Sequence, residues 1–340
     1  MTTPSLKDRT IEAFWGLVRP WLFLSLSASY LPATLRTLFT THSLPTSLSI
    51  LLLSPSRFRS LWFGHFWAYA GPQVRESAAP KVLPLLDGRV SGGRVLDTPA
   101  APGIGGVVIE IGAATGLYVE VFSDRHLYED SGRQVEGRKN KKKRANTARS
   151  AITRVYGVEP NPAHHAALRR AVEAAGLQDV YEIVPVGIED LCSSSSSSSS
   201  SSSFSSSDNG GGKGKKEKEK AEKKWDGNIA PQSVDCIVSI LCLCSIPDPQ
   251  RHIRELYELL RPGGRWYVYE HVKARNMWYI RLYQRIINVF WPRFIGGCEL
   301  CRPTEKTITE TGPWSKIDVG QPVDEQWYGT VPHVLGIFTK

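Results

Sequence analysis

The stretch Val107-Val-Ile-Glu110-Ile-Gly112-Ala-Ala-Thr-Gly116 constrains the fold more than any other part of the chain. Its apolar run reads as a buried strand, and the glycines that follow let backbone turn tightly and approach a ligand at the strand's carboxyl end. A second apolar run, Val155-Tyr-Gly-Val-Glu159-Pro-Asn161, also ends in a carboxylate. In a doubly wound α/β sheet an acid at that position accepts hydrogen bonds from ribose hydroxyls. The two runs together predict a nucleoside-bearing ligand held across neighbouring strand tips.

Spacing supports this once two low-complexity insertions are set aside. The first, about 123–150, carries Arg138 to Arg144, and the second, 193–224, carries an eleven-serine run and a Lys/Glu tract. Neither has the apolar content to order itself. Glu159 lies 49 positions after Glu110, yet without the first insertion the gap falls to about 20, that of a strand-helix-strand unit. Much of the net charge of +9 sits in these tracts, which read as solvated loops. No nucleic-acid partner is expected, because no aromatics interleave with the basic residues.

Further along, Ser233 to Ile240 is a short buried-strand pattern ending in the loop Leu241-Cys-Leu-Cys-Ser-Ile-Pro-Asp248. A helix follows with Ile253, Leu256, Leu259 and Leu260 on one face, closed by Arg261-Pro-Gly-Gly264 and the strand Arg265 to His271. Dinucleotide sites need a phosphate-binding helix end. Here an acid two residues before Gly112 suits a ligand with positive charge and no phosphate.

With these residues the chain resembles the class I S-adenosylmethionine-dependent methyltransferases, whose first motif usually reads (Asp/Glu)-x-Gly-x-Gly-x-Gly. Ala114 stands where the middle glycine is expected, a change tolerated if φ stays negative. Glu270-His271-Val272, Trp278, Gln284, Trp291, Gly297-Cys298-x-Leu300-x-Arg302 and the closing Gly336 to Lys340 look like the methyltransferase-like thiol S-methyltransferases. That resemblance implies an α/β fold: a Rossmann-like seven-stranded sheet, doubly wound, with helices on both faces. It implies S-adenosyl-L-methionine as cofactor and a small apolar acceptor, a thiol first. It also implies an N-terminal membrane-binding segment on endoplasmic reticulum or lipid droplets, with the catalytic domain in the cytosol. Lipid or quinone methyltransferases share the core motifs and stand as the alternative. A nucleotide-dependent oxidoreductase and a non-catalytic cofactor binder are the other readings.

Roles follow on the matching positions. Glu110 orients the methionine ammonium end, through water or through the loop backbone, while Gly112, Ala113 and Gly116 give close backbone approach. Glu159 binds the ribose, and Asn161 caps the next helix or touches the adenosine. Ile188 and Glu189 match the adenine-contacting turn, and Leu241 flanks the sulfonium. His271 deprotonates or orients the acceptor, with a structural histidine behind the loop as the other reading. Trp278, Phe290 and Trp291 wall the acceptor pocket.

The N-terminus carries two uncharged stretches, Trp21 to Leu35 and Thr37 to Ser56, both diluted by polar residues and prolines. We expect residues 1–56 to associate with a membrane as a shallow hairpin or one imperfect span, ahead of a catalytic domain over 57–340. A soluble helical lid over the site is the alternative, and a secretory signal is not expected. Arg57 to Tyr69 places aromatics at helical spacing, as for a helix packed on the sheet before the first strand. Of the six cysteines, Cys242-x-Cys244 with Cys298-x-x-Cys301 has the wrong spacing for a zinc knuckle, so they read as packing residues and no metal is expected. Disulfides are not expected in a reducing cytosol.

Overall fold

The computed structural model describes residues 6–123, 151–191, 225, 227–275, 277–326 and 328–340. The two insertions lie almost wholly outside the described residues. Four helices come first: α1 (Leu6–Ser29), α2 (Leu31–Thr41), α3 (Leu44–Leu53) and α4 (Pro55–Leu86). After a small hairpin of β1 (Val90–Ser91) and β2 (Arg94–Val95) come β3 (Gly106–Ile111), β4 (Ile152–Val158), α5 (Pro162–Ala175), β5 (Tyr181–Val184) and the single turn α6 (Ile188–Leu191). The chain continues with β6 (Val234–Ile240), α7 (Pro249–Leu259), β7 (Leu260–His271), α8 (Trp278–Phe294), α9 (Thr304–Thr309), β8 (Lys316–Gly320) and β9 (His333–Thr339).

Seven strands make one sheet in the order β5-β4-β3-β6-β7-β9-β8. The first five pair in parallel, and β9 runs antiparallel to both β7 and β8. Strand order reverses around β3, which creates a crevice at the carboxyl ends of β3 and β6, where open α/β sheets bind ligands. The alternation of strand side chains supplies two cores. Val108, Val238, Tyr267 and Tyr269 face one side with Val82, Leu85 and Leu86 of α4, while Ile109, Ile237, Trp266 and Val268 face the other with Ile253 and Leu256 of α7. Helices therefore cover both faces, the doubly wound Rossmann-like architecture expected from the sequence.

Local chemistry sets the boundaries. Asn161 accepts from Ala163 N at 3.1 Å as the N-cap of α5, and Gly176 closes that helix at φ 69° with Leu177 N bonded back to Val172 O. The strand after α7 starts at Leu260, five residues earlier than the sequence pattern suggested, because Gly263 at φ 75° turns the chain and its N–H reaches Lys340 O.

The aromatic helix predicted over 57–69 is the first half of a longer one. Only the later turns of α4, from Ala78, pack on the sheet; Phe66 and Ala70 instead join Leu24, Ile287 and Trp291 in a third core. The N-terminal helices are tied into this cap by Ser27 Oγ to Phe294 O at 2.7 Å, Trp62 Nε1 to Ser27 O at 2.8 Å and Tyr283 OH to Leu17 O at 2.6 Å. Among the described residues no helix is long and apolar enough to cross a membrane.

Candidate active site

A cleft of about 640 Å³ opens at the carboxyl ends of β3, β4, β6 and β7, roofed by α1, α4 and α8. Its volume lies within the roughly 300–1,000 Å³ of small-molecule sites. At one end the β3 loop sits against the loop after β6, so close that a side chain on Gly112 would meet Cys242 Cβ at 2.6 Å. Glu159, buried at the tip of β4, holds that loop in place. Its carboxylate accepts from Ala114 N at 2.7 Å and Asn161 N at 2.8 Å, and His164 Nδ1 lies 3.3 Å away. A carboxylate has about four acceptor positions, so ribose hydroxyls can still be served.

Glu110 lies beneath the glycine loop, the loop-backbone route of the two expected for it. It is buried behind the loop, outside the cleft lining, and accepts from Tyr181 OH at 2.5 Å. Gly157 lies between the two residues, and the absence of a side chain there lets the phenol pass over β4. Burial pushes the Glu110 carboxyl up to about 7, eased by the Tyr181 bond and raised again by Glu159. Glu110 therefore reaches a ligand only through the loop it underlies. Ala113 and Gly116 also lie outside the lining; a side chain on Gly116 would strike Ala171 at 2.6 Å, so this glycine serves loop-helix packing.

Ala114 does line the cleft, and its φ is +47°, not the negative value that would have made the missing glycine harmless. Leu241, across the cleft, has φ +55°. These are two of the four left-handed non-glycine residues among the described residues, and both face the site, as strained backbone tends to do. Ile188, buried, and Glu189, exposed, lie on α6 at the same end, and Asn161 lines it as well as capping α5.

The other end of the cleft is built from sulfur, imidazole and aromatic rings. His271 ends β7, Cys298 follows α8, and the loop after β6 brings Cys244 behind them. Cys298 Sγ lies 3.4 Å from His271 Nδ1. Burial pulls the His271 imidazole down, but the Cys244 hydrogen bond and the charges of Glu270 and Glu325 outweigh it, leaving the ring above its ordinary value. Glu270 is fully buried and accepts from Cys242 N and Leu243 N, both at 3.1 Å, which shapes the loop carrying Cys244. The cysteines expected to be packing residues are thus divided: Cys242 turns to Glu270 and Cys301 to Gln284, while Cys244 and Cys298 meet at His271.

Of the three aromatics expected to wall this end, only Trp291 does. It is buried with Ile280, Gln284 and Ile287 on the inner face of α8, while helical geometry turns Trp278 and Phe290 outward, 68% and 43% exposed. Phe23 of α1 and Phe63 and Trp67 of α4 also line the cleft, residues not expected at the site; the Phe63 ring lies 6.1 Å from that of His164 and 5.3 Å from that of Trp67, on the Glu159 side. The indole N–H of Trp67 is buried with no hydrogen-bond partner among the described residues. The aromatic spacing of 57–69 was the available signal, and only the tertiary fold shows that its first half faces the cleft.

The fold and the cleft define a class I, Rossmann-like methyltransferase. The profile of the methyltransferase domain family matches residues 71–298, well over half of the chain. The chain belongs to that family, whose cofactor is S-adenosylmethionine. It is 33% identical over 113 residues to the rat thiol S-methyltransferase TMT1B and to the human thiol S-methyltransferase TMT1A, in each case over 33% of this chain and 46% of the relative. The chain thus spans about half the length of the curated relatives it matches. Among solved structures it is similar to an S-adenosylmethionine dependent methyltransferase from Mesorhizobium loti, with TM-score 0.40 and 16% identity over 71% of this chain and 94% of that one.

The residues present fit S-adenosylmethionine. Glu159 suits the ribose, Ile188 and Glu189 an adenine face and its amino group, and the Gly112–Ala114 backbone the amino-acid end.

Proposed function

We propose that the protein transfers a methyl group from S-adenosylmethionine to a small apolar thiol. Bound at this cleft, the cofactor supplies a methyl on a cationic sulfur, open to in-line displacement by an acceptor lone pair. The protein's part is alignment, which can be worth about 7–11 kcal/mol when donor and acceptor are held in near-attack geometry. Glu159 and the loop it clamps fix the donor end; Phe63 and Trp67 exclude water above it, and Phe23 and Trp291 hold an apolar acceptor. His271 lines the same cleft and can orient the acceptor or take up its proton. A free thiol of pKa about 8.5 is already a few per cent thiolate at neutral pH, so little base strength is needed.

The carrying observation is that one cleft joins the Glu159-clamped loop to an aromatic chamber ending in His271 and Cys298. That the relatives are named thiol S-methyltransferases supports a sulfur acceptor for this chain. Incubation with methyl-labelled cofactor and a panel of alkyl thiols, amines and alcohols tests this. Label is expected in the thioether of a hydrophobic thiol; label in amine or alcohol products alone would refute the acceptor assignment.

The same reading places the protein on a lipid surface. Leu282, Ile286, Val289 and Phe290 form an exposed apolar stripe on α8, joined to α1 by the Trp21–Phe290 ring contact. Arg281, Arg285 and Arg293 accompany it on the same helix. A contiguous apolar strip with basic neighbours suits shallow insertion at a headgroup boundary. The full chain should float with vesicles containing anionic lipid, and Leu282→Glu with Val289→Glu should release it; unchanged flotation of the double variant would contradict the assignment.

A further inference from the structure

We propose that Cys244, His271 and Cys298 form a three-ligand zinc site whose fourth position opens on the acceptor end of the cleft and takes the substrate thiol. The thiol step rests on the function proposed above; the metal site does not. One ligand atom from each residue, two Sγ and an imidazole nitrogen, lies within 4.8 Å of the others, with Cys298 Sγ and His271 Nδ1 at 3.4 Å. A tetrahedral centre with bonds of about 2.3 Å to sulfur and 2.0–2.1 Å to nitrogen sets its ligand atoms roughly 3.5–3.8 Å apart, so small side-chain adjustments close the set. Two thiolates and an imidazole are a donor set that selects zinc. Three protein ligands with one vacant position is the pattern of catalytic zinc rather than structural zinc.

The three ligands come from the loop after β6, the end of β7 and the turn after α8, and backbone bonds hold these segments together. Glu299 N donates to Cys244 O at 2.9 Å, Arg302 Nη1 to Leu243 O at 3.0 Å and to Ile246 O at 2.6 Å, and Thr304 Oγ1 to His271 O at 3.3 Å. The ligand-bearing backbone is thus fixed by contacts that need no metal. His271 and Cys298 line the cleft and Cys244 lies behind them, which leaves the open side of the set toward the acceptor.

With two protein thiolates the divalent ion is charge-neutral, and an acceptor thiol that binds in the fourth position releases its proton to solvent. The coordinated sulfur keeps a lone pair that forms the new S–CH3 bond, while the bond from the methyl carbon to the donor sulfonium breaks with its electron pair left on the donor sulfur. The uncharged thioether is a weak ligand and leaves. His271 then acts as a ligand, and no general base is required.

Metal analysis of the full-length protein, purified without chelator, tests the site. About one zinc per chain is expected, falling at least about fivefold in Cys298→Ser and Cys244→Ser and unchanged in Cys301→Ser. Cobalt reconstitution of the wild type should give thiolate-to-metal absorption, which keeps the test open if a variant fails to fold. Calorimetry with S-adenosylmethionine on the same samples separates the two claims. Cofactor binding without zinc, or a Cys244–Cys298 disulfide in place of metal, overturns the zinc site and leaves the methyltransferase reading intact. Stoichiometric zinc that depends on Cys244 and Cys298 supports the site even where cofactor binding fails, and that failure then falls on the methyltransferase reading alone.

Discussion

The two ends of the cleft are made in different ways. The donor end is local: β3 and β4 are paired neighbours, and a single carboxylate, Glu159, fixes the loop of one strand from the tip of the other. The acceptor end gathers Phe23, His271, Trp291 and Cys298 from four separate segments, and its shape depends on the whole cap of α1, α4 and α8. Substitutions at the donor end should therefore change cofactor affinity. Those at the acceptor end should change substrate preference and leave the cofactor alone.

The largest effect is expected at Glu159. Alanine there removes two hydrogen bonds to backbone N–H groups and the ribose acceptor, each charge-assisted bond being worth about 1.5–3 kcal/mol. Methyl transfer at subsaturating cofactor should fall roughly 100- to 1,000-fold, as steady-state rates with labelled donor would show. A loss of less than about tenfold would erase the distinction between the ends.

Next comes a pH effect beneath the donor loop. Burial raises the Glu110 carboxyl from 4.5 to about 7, so ionisation is harder in the folded protein than in the unfolded chain. This group costs no stability below about pH 4.5, and its cost grows as pH rises to about 7, reaching on the order of 3 kcal/mol. Glu110→Gln, which can still accept from Tyr181, should flatten the fall in denaturation midpoint across that window. An unaltered pH profile would mean that Glu110 ionises without hindrance.

At the acceptor end, Trp291→Phe should raise the acceptor KM several-fold, about tenfold at most, by removing apolar contact, with cofactor affinity unchanged by calorimetry. If both constants move together, the ends are not separable. The smallest effect is at Ala114: with φ +47°, glycine should relieve about 1 kcal/mol of backbone strain, seen as a small rise in thermal midpoint.

The same difference explains what could be read from the chain. Val107 to Gly116, Val155 to Glu159 and the Leu-Arg-Pro-Gly-Gly turn carry short-range signals, alternation, glycine turns and strand-tip acids, and these led directly to the sheet and to Glu159 and Gly112. That Glu110 works from beneath the loop, bonded to Tyr181, could not be read locally, because strand alternation does not show that Gly157 leaves room for the phenol over β4. Trp278 and Phe290 were misplaced because the inward face of α8, with Ile287 and Trp291, is set by packing against Phe23, Leu24 and Phe66. The meeting of Cys244, His271 and Cys298 joins residues up to 54 positions apart, and no local pattern announces it.

The central claim is that this cleft takes S-adenosylmethionine and not a dinucleotide. Calorimetric titration of the full-length protein with each ligand tests it most directly. Saturable association with S-adenosylmethionine at one site per chain, lost in Glu159→Ala, and no heat with NAD is the predicted result. Binding of NAD, or no heat with S-adenosylmethionine, would contradict the account.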